Sequence, residues 1–320
     1  MADRVGRGRN RVAEFSLKVN NKRRMPRVTD PLVPHSESDA SSTLSPYHAA
    51  LSALQPPSPS SLFREVRALL ELPRLMLRFP DLARQPRGQG QPVLVLPGYG
   101  CGDVSTALLQ GYLRLLGYHV RGWGLGRNFG NVAELLPRVL KRLLSLAHKT
   151  RQEVRIVGWS LGGYIAREIA RERPDLVQQV ITLGTPVVGG PKYTIVARKL
   201  RRRGVDVDAI AAAVELRNQI CLRTPVTAIY SRADAIVAWQ ACIDRNGTNI
   251  KHVEVTTTHL GLGFSPQVYK IIAQRLALDA SQCSQSSSDQ SGEEWVSLPV
   301  AVADPQNLEL LSVEEFLKRR

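Results

Sequence analysis

The spacing of apolar residues alternates between two patterns along the chain and predicts an α/β protein. Short runs rich in Val, Ile and Leu predict buried strands, and the longer segments between them repeat their apolar residues at helical spacing. Because a crossover between parallel strands is right-handed, this order predicts a mostly parallel sheet of about six core strands with helices on both faces. The predicted strands lie near residues 93, 119, 154, 178, 226 and 252.

The two ends of the chain lack this pattern. Residues 1–60 carry basic residues and then a Ser/Pro-rich stretch, so we expect a disordered tail. Residues 61–90 bear leucines at roughly helical spacing, with an expected break at Pro73, and form a helical lead-in that either packs on the domain or contacts a membrane surface. Residues 281–320 are a predicted polar tail. The core domain is therefore assigned to residues 91–280.

The sharpest change of period surrounds a single serine. A strand pattern at residues 154–157 is followed by Gly158-Trp159-Ser160-Leu161-Gly162, and then by apolar residues at helical spacing up to Pro174. Small residues on both sides of Ser160 allow a sharp turn that holds the serine in a strained conformation with its hydroxyl exposed. A G-x-S-x-G match also arises by chance, and the flanking strand and helix are what make this one evidence for a nucleophile.

This strand, turn and helix resemble the nucleophile elbow of the α/β-hydrolase superfamily, and most of all its bacterial lipase and esterase branches. A Gly-Thr-Pro sequence at residues 184–186, after the next predicted strand, is a second point of similarity. The resemblance implies the α/β-hydrolase fold, an oxyanion loop upstream of the serine, and an acid and then a histidine at the ends of later strands.

Two downstream loops contain residues that meet these requirements. Asp234 is the only carboxylate in the turn after the strand at residues 225–230, although a turn aspartate that caps backbone amides is an alternative. Of the six histidines, only His259 lies in a loop at the correct edge of the sheet and downstream of the acid. The resemblance therefore implies a catalytic triad of Ser160, Asp234 and His259.

A glycine-rich turn at residues 98–102 follows the first core strand, where the superfamily has its oxyanion loop. The resemblance implies that the backbone amides of Tyr99 and Leu161 form the oxyanion hole. An ordinary strand-to-helix turn, with Asp103 as the N-cap of the next helix, explains the same glycines, and both interpretations can hold at once.

Residues 188–222 interrupt the alternation of strands and helices. An insert at the carboxyl edge of the sheet would lie over Ser160, so we interpret it as a small helical cap or lid that lines an acyl pocket. A plain packing helix is the alternative. We assign Trp159, Ile195 and Leu200 to the pocket.

The implied reaction is the hydrolysis of carboxylic esters through an acyl-enzyme, with lipid-like or medium- to long-chain acyl substrates. It requires neither a metal nor an organic cofactor. The same triad serves acyltransferases and thioesterases, and a non-catalytic binding protein can retain the fold, so these functions stay open.

The formal net charge of +15 comes largely from the first 27 residues and from residues 198–203. The chain has no nucleic-acid-binding motif, so we expect either a solvated basic tail or peripheral contact with an anionic membrane through the basic segments. The basic cluster at residues 201–203 fits an anionic head group or an acidic carrier protein as well as a solvated helix face. No run is long enough to span a membrane and the N-terminus lacks the apolar core of a signal peptide, so we expect a cytoplasmic location. The oligomeric state stays open.

Four cysteines are too few and too scattered to predict a disulfide framework or a zinc site. Cys221 and Cys242 flank one predicted strand and could pair in an oxidising environment. Free, buried thiols are the favoured interpretation.

Overall fold

The computed structural model describes residues 54–245, 247 and 249–278. Most of the predicted N-terminal tail, residues 1–53, and the whole of the predicted C-terminal tail, residues 281–320, lie outside the described residues.

Six strands form one sheet in which every neighbouring pair is parallel, in the order β2-β1-β3-β4-β5-β6. The predicted fold class is therefore confirmed. All five residues of β1 and all six of β3 are buried, as expected for central strands covered on both faces. The strands are β1 (Pro92–Leu96), β2 (His119–Gly122), β3 (Val154–Trp159), β4 (Val177–Leu183), β5 (Val226–Tyr230) and β6 (Ile250–Glu254).

Seven α-helices are present in the part of the chain that the structure describes. They are α1 (Glu71–Ala83), α2 (Ala107–Leu115), α3 (Val132–Thr150), α4 (Leu161–Glu172), α5 (Val196–Arg202), α6 (Val207–Asn218) and α7 (Pro266–Leu276). Five 3-10 helices accompany them, at Pro59–Leu70, Asp103–Thr106, Gly190–Tyr193, Trp239–Cys242 and Gly261–Gly263. None of the described helices is long and apolar enough to cross a membrane.

The sheet separates two apolar cores, because successive side chains of a strand point to opposite faces. Val93 and Val95 of β1 belong to one core together with residues of α1, α2 and α7. Leu94 and Leu96 belong to the other core, which they share with residues of α3 and α4. The alternation within β1 therefore fixes which helices cover which face of the sheet.

The lead-in is a continuous helical segment that changes type. Pro59–Leu70 is a 3-10 helix, and α1 follows from Glu71. The helix does not break at Pro73 as predicted, and its type changes between residues 70 and 71. Pro73 occupies the first turn of α1, where a missing amide hydrogen is tolerated.

Between β4 and β5, residues 188–222 form the insert. The 3-10 helix Gly190–Tyr193 leads into α5 and α6. The carboxylate of Asp206 accepts hydrogen bonds from the amides of Asp208 and Ala209 and so caps the start of α6.

Candidate active site

Ser160 lies in a strained turn between β3 and α4. Its φ of 54° and ψ of −119° place it in a region that non-glycine residues rarely adopt. Neighbouring glycines make this turn possible, since a Cβ on Gly158 would lie 2.5 Å from the amide nitrogen of Gly163, and one on Gly162 would collide with the carbonyl of Leu96. The turn therefore requires the small residues from which the sequence predicted it.

Two hydrogen bonds fasten the serine turn to β4 and to the loop after it. The amide of Ser160 donates to the carbonyl of Leu183 at 2.7 Å. The hydroxyl of Thr185 donates to the carbonyl of Ser160 at 3.0 Å. The Gly-Thr-Pro sequence that resembles lipases thus supports the backbone of the serine.

His259 and Asp234 form a buried pair. The Nδ1 atom of His259 lies 2.6 Å from Oδ2 of Asp234, and the two side chains are 5% and 1% exposed. The other carboxylate oxygen accepts from the amides of Ile236 and Val237 at 2.8 and 2.7 Å. Asp234 therefore caps its own turn and also binds the histidine.

The pair of His259 and Asp234 lies beside the turn that contains Ser160. Gly184 directly follows Leu183, the residue that accepts the Ser160 amide, and a Cβ on Gly184 would lie 2.9 Å from Nδ1 of His259. The ring of His259 is also centred 6.3 Å from the indole of Trp159, the residue before the serine. The pair of His259 and Asp234 thus lies next to the end of β4, whose Leu183 carbonyl holds the amide of Ser160.

Burial and charge act in opposite directions on the imidazole. Burial of His259 disfavours its charged form, but the charge of Asp234 and its hydrogen bond, together with the charge of Glu65, outweigh burial and raise the pKa above its ordinary value. The environment of His259 therefore stabilises the imidazolium that forms when the ring accepts a proton.

The loop before α2 is held close to the serine by a second loop. The amide of Gly100 donates to the carbonyl of Asn128 at 2.6 Å, and the Asn128 side chain, which is fully buried, donates to the carbonyl of Pro97 at 3.0 Å. A Cβ on Gly98 would lie 3.4 Å from the Cβ of Ser160. Tyr99 and Leu161 both line the cavity beside Ser160.

The predicted cap at Asp103 differs from the structure. The carboxylate of Asp103 accepts from the amides of Trp123 and Gly124 at 2.9 and 3.0 Å, so it joins the loop to the end of β2 and does not cap a helix. Asn131 is the N-cap residue of α3, as its spacing to Glu134 indicates, but its side chain makes no capping hydrogen bond.

A cavity of about 330 Å³ opens beside Ser160 and Leu161. One part of the cavity wall comes from the insert and is largely apolar. The rest comes from loops around Tyr99, Phe129, Pro186 and Ile236. The residues of the insert that line it include Thr194, Val196, Leu200, Val205, Ile210 and Val214.

Of the three predicted pocket residues, only Leu200 lines this cavity. Trp159 packs on the other side, against the edge of Phe264 and within the core that contains α2 and α7. Ile195 lies at the start of the insert, where its amide donates to the carbonyl of Ile236 at 2.9 Å. The assignment of Trp159 and Ile195 to the pocket is therefore corrected, because strand alternation turns the tryptophan away from the serine side.

Glu65 is a residue near the site that the sequence did not indicate. Its carboxylate is buried and accepts from the amides of Ala235, His259 and Leu260 at 2.9, 3.2 and 2.8 Å. The available signal was the three-residue spacing of Glu65, Ala68 and Glu71, which places them on one face of a 3-10 helix. All three are buried.

Of the three cysteines in the described residues, none forms a disulfide. Cys242 is buried, and burial together with the charge of Asp234 raises the pKa of its thiol well above the ordinary value. Cys221 is exposed, so the expectation of a buried thiol is wrong for this residue. Among the same residues, no group of His, Cys, Asp and Glu side chains is arranged to hold a metal ion.

Curated relatives of the chain are esterases. A pimeloyl-[acyl-carrier protein] methyl ester esterase of Vibrio vulnificus is 31% identical over 140 residues, which are 42% of this chain and 50% of that protein. The protein of the same description from Vibrio cholerae is 30% identical over 133 residues, 40% of this chain and 47% of that protein. The chain thus spans about half the length of the curated relatives it matches.

Solved structures of low sequence identity also resemble the chain. A Bacillus licheniformis lipase has a TM-score of 0.48 and 14% identity, over 61% of this chain and 95% of that one. A lipase-esterase related protein of Clostridium acetobutylicum has a TM-score of 0.46 and 17% identity, over 60% and 96% of the two chains.

A family model described as alpha/beta hydrolase fold matches residues 78–214. The matched part contains β1 to β4, the strained serine turn and most of the insert. The parallel sheet continues from there through β5 and β6, whose following loops carry Asp234 and His259. The chain therefore has the α/β-hydrolase fold.

Proposed function

We propose that the protein is a serine hydrolase that cleaves carboxylic esters of lipid-like or medium- to long-chain acyl groups. The observation that carries this proposal is the buried His259–Asp234 pair beside the strained turn of Ser160, at the wall of a largely apolar cavity. The esterase activity of the curated relatives supports the same class of reaction.

The pairing of the histidine assigns its two ring nitrogens. Since Nδ1 faces the carboxylate of Asp234, the neutral ring carries its hydrogen there and leaves Nε2 to accept the hydroxyl proton of Ser160. Ser160 then attacks the ester carbonyl and forms a bond to its carbon. Asp234 holds the ring in this tautomer and stabilises its charged form.

The negative oxygen that forms on the substrate requires hydrogen-bond donors close to the serine. We assign this role to the amides of Tyr99 and Leu161, each worth about 3 kcal/mol in the transition state. His259 next gives its proton to the leaving alcohol, and the acyl group stays on Ser160. Water, activated by His259 in the same way, then releases the acid.

The cavity supports an apolar acyl group as the part of the substrate that is recognised. Each CH₂ group removed from water gains about 0.8 kcal/mol, or a factor of roughly four in kcat/KM. We therefore expect kcat/KM to rise along a series of nitrophenyl esters from acetyl to medium or long chains, and to level off when the chain fills the cavity of about 330 Å³.

The test is fluorophosphonate labelling followed by this ester series. Wild type should be labelled, and Ser160→Ala should lose labelling and at least about 10⁴-fold in kcat. The control is Ser265→Ala, a change at a buried serine outside the cavity, which should retain both. Unchanged turnover in Ser160→Ala would falsify the mechanism.

The exposed surface of α5 favours a second candidate substrate, an acyl ester attached to an acidic carrier protein. Arg198, Lys199 and Arg202 are exposed on this helix, while its Leu200 lines the cavity. Negative charge on a carrier would be attracted to these side chains while the acyl group enters. The curated relatives are esterases for a substrate of this kind.

Carrier recognition is tested by comparing kcat/KM for an acyl methyl ester free and attached to an acyl carrier protein. If the carrier is recognised, the attached ester should be preferred at low salt, and Arg198→Glu with Arg202→Glu should remove the preference while leaving the free ester unaffected. Equal kcat/KM for the two substrates would reject the carrier.

A further inference from the structure

The lead-in segment, residues 59–83, has an unusually apolar outer face. Side chains three positions apart are eclipsed on a 3-10 helix. Phe63, Val66 and Leu69 share one such face and are 82%, 62% and 67% exposed. In α1 the face continues with Met76 and Leu77, which are 64% and 80% exposed. The segment therefore presents an apolar stripe along both of its helices.

The stripe contrasts with the rest of the surface. Nine of the sixteen exposed large hydrophobic residues in the described part of the chain lie in this segment. The other seven are spread over the 3-10 helix Asp103–Thr106, α2, α3 and three loops. A contiguous exposed apolar patch of this kind marks an interaction surface.

Positive charge accompanies the stripe. Arg64, Arg67, Arg74 and Arg78 are all exposed. The two glutamates of the segment are buried, which leaves Asp81 as its one exposed acid, paired with Arg78 and Arg84. The outer face thus combines apolar side chains with an excess of arginine, the combination of helices that lie in the interface of anionic membranes.

We propose that the outer face of the lead-in segment docks on an anionic lipid surface. Its apolar side chains enter the boundary between headgroups and acyl chains, and its arginines contact the lipid phosphates. Docking of the face does not depend on the proposed ester hydrolysis.

Charge disfavours a second copy of the chain as the partner. In a symmetric dimer the same face packs against itself, so the arginines of one copy would approach those of the other with a single exposed acid to compensate. The first 27 residues of the chain are also basic, so charge disfavours them as the occupant of this face as well. Residues 281–320 contain several acids, and a variant that lacks them tests whether they occupy the face.

The experiment is co-flotation of the full-length protein with vesicles. Phosphatidylcholine alone is compared with phosphatidylcholine containing about 30% phosphatidylglycerol, at about 0.1 M and about 1 M salt. The test variant combines Phe63→Ser, Val66→Ser and Leu69→Ser. The matched control combines Val104→Ser, Leu108→Ser and Leu115→Ser, which are exposed positions away from the segment.

Wild type and the control should float with anionic vesicles, less at high salt, and the test variant should bind at least about tenfold more weakly. All three should hydrolyse a short, water-soluble ester at the same rate. Equal flotation of the test variant and the control would overturn the proposal. So would a dimer in sedimentation that only the test variant loses, or vesicle binding that requires deletion of residues 281–320.

The inner face of the same segment carries a second inference, which rests on the proposed function. Glu65 accepts hydrogen bonds from Ala235, next to the triad acid, and from His259 and Leu260 in the histidine loop. One carboxylate thus joins the two loops that must stay in register for Asp234 to meet the imidazole. We infer that Glu65 is a positioning residue for the triad.

Glu65 also contributes charge to the imidazole's surroundings. The charged or titratable groups that act on His259 are Asp234, at 2.6 Å, and Glu65, with Cys242 close to Asp234. Since the negative charge of Glu65 helps to raise the pKa of His259, its removal lowers that pKa. Catalysis needs the neutral ring, so the acidic limb of the pH–rate profile should move to lower pH.

The test compares Glu65→Gln with Glu71→Gln, a matched change at a buried glutamate that accepts from the Thr257 hydroxyl and contacts neither triad loop amide. Glu65→Gln should lower kcat by about tenfold with KM within about twofold, because the loops lose one acceptor and the ring loses its alignment. The acidic limb of the Glu65→Gln pH–rate profile should move to lower pH, while that of Glu71→Gln should not move.

The position of the acidic limb depends only on the folded molecules, so it can be measured even if Glu65→Gln lowers the folded fraction. A lower kcat with an unmoved acidic limb would mean a purely structural role and would overturn the inference, as would an unchanged kcat. Both outcomes are distinct from failure of the proposed function, which is read from Ser160→Ala in the wild-type background.

Discussion

Two buried pairs in this protein bring a nitrogen and a carboxylate oxygen to the same distance of 2.6 Å. One joins His259 to Asp234, and the other joins Arg167 of α4 to Asp244. All four side chains are at most 5% exposed. The difference lies in the nitrogen group, because an imidazole releases its proton near neutral pH and a guanidinium does not. Burial and short distance alone therefore do not show which of the two pairs can exchange a proton.

The surroundings of the two pairs also differ. The loop of the first pair lies beside the strained turn of Ser160, whereas the amide of Asp244 donates to Nε2 of His252 at 2.9 Å. Burial lowers the pKa of His252, so this ring stays neutral and accepts a backbone hydrogen bond. The pair of Arg167 and Asp244 ties α4 to the segment before β6, and the pair of His259 and Asp234 serves the reaction we propose.

Removing the acid from each pair gives the largest predicted contrast. Asp234→Asn should lower kcat by about 10⁴-fold, because the imidazole loses the charge that fixes its tautomer and stabilises its charged form. The backbone caps on Oδ1 can persist in the asparagine. Hydrolysis of nitrophenyl esters and the rate of fluorophosphonate labelling measure the effect. A loss below about tenfold would place Asp234 among structural groups.

The matching change, Asp244→Asn, should act on stability. It leaves the buried guanidinium of Arg167 without its counter-charge, and we expect the free energy of unfolding to fall by about 3–5 kcal/mol. Urea denaturation measures this loss. The kcat of the folded protein should stay within about twofold of wild type, and a large drop in kcat would break the distinction between the two pairs.

A methyl group on Gly184 tests the spacing between the serine turn and the histidine pair. The new Cβ would press on His259, so Gly184→Ala should lower kcat by roughly tenfold to a hundredfold. Gly204→Ala is the control, since both residues have positive φ (55° and 77°) but Gly204 has open space around it. If the two variants lose activity equally, backbone strain and not displacement of the ring is responsible.

The smallest predicted effect concerns pH. Because the pKa of His259 is raised, its ring stays protonated up to a higher pH than the ring of a free histidine does. The protonated ring cannot act as a base. Activity should therefore rise with pH through an apparent pKa above about 6.5 and be lost below it. A pH profile of kcat/KM measures this limb, and an apparent pKa below 6.5 would contradict the net raising of the pKa by Asp234 and Glu65 against burial.

The sequence predicted those features that local pattern controls. Buried strands such as β1 and β3 follow from their apolar runs, and the strained turn at Ser160 follows from its flanking glycines. The predicted order of the loops that carry Asp234 and His259 matches the structure, because parallel strands bring their carboxyl ends to one edge.

The sequence could not predict features that depend on which face a residue takes or on distant partners. Trp159 ends a strand buried on both faces, so its pattern alone does not say that it points away from the serine side. Asn128 and Glu65 act through carbonyls and amides that lie 31 and up to 195 positions away in the chain. The local spacing of apolar and polar residues carries no information about such contacts.

The carboxylate of Glu65 also bears on where this chain can be shortened. A recombinant fragment that starts at residue 91, the first residue of the predicted core domain, would delete the common acceptor of three amides in the acid and histidine loops. Each buried amide left without an acceptor destabilises its loop by about 1–3 kcal/mol. We therefore expect a functional fragment to need Glu65 and the helix Pro59–Leu70 that carries it, upstream of the first strand.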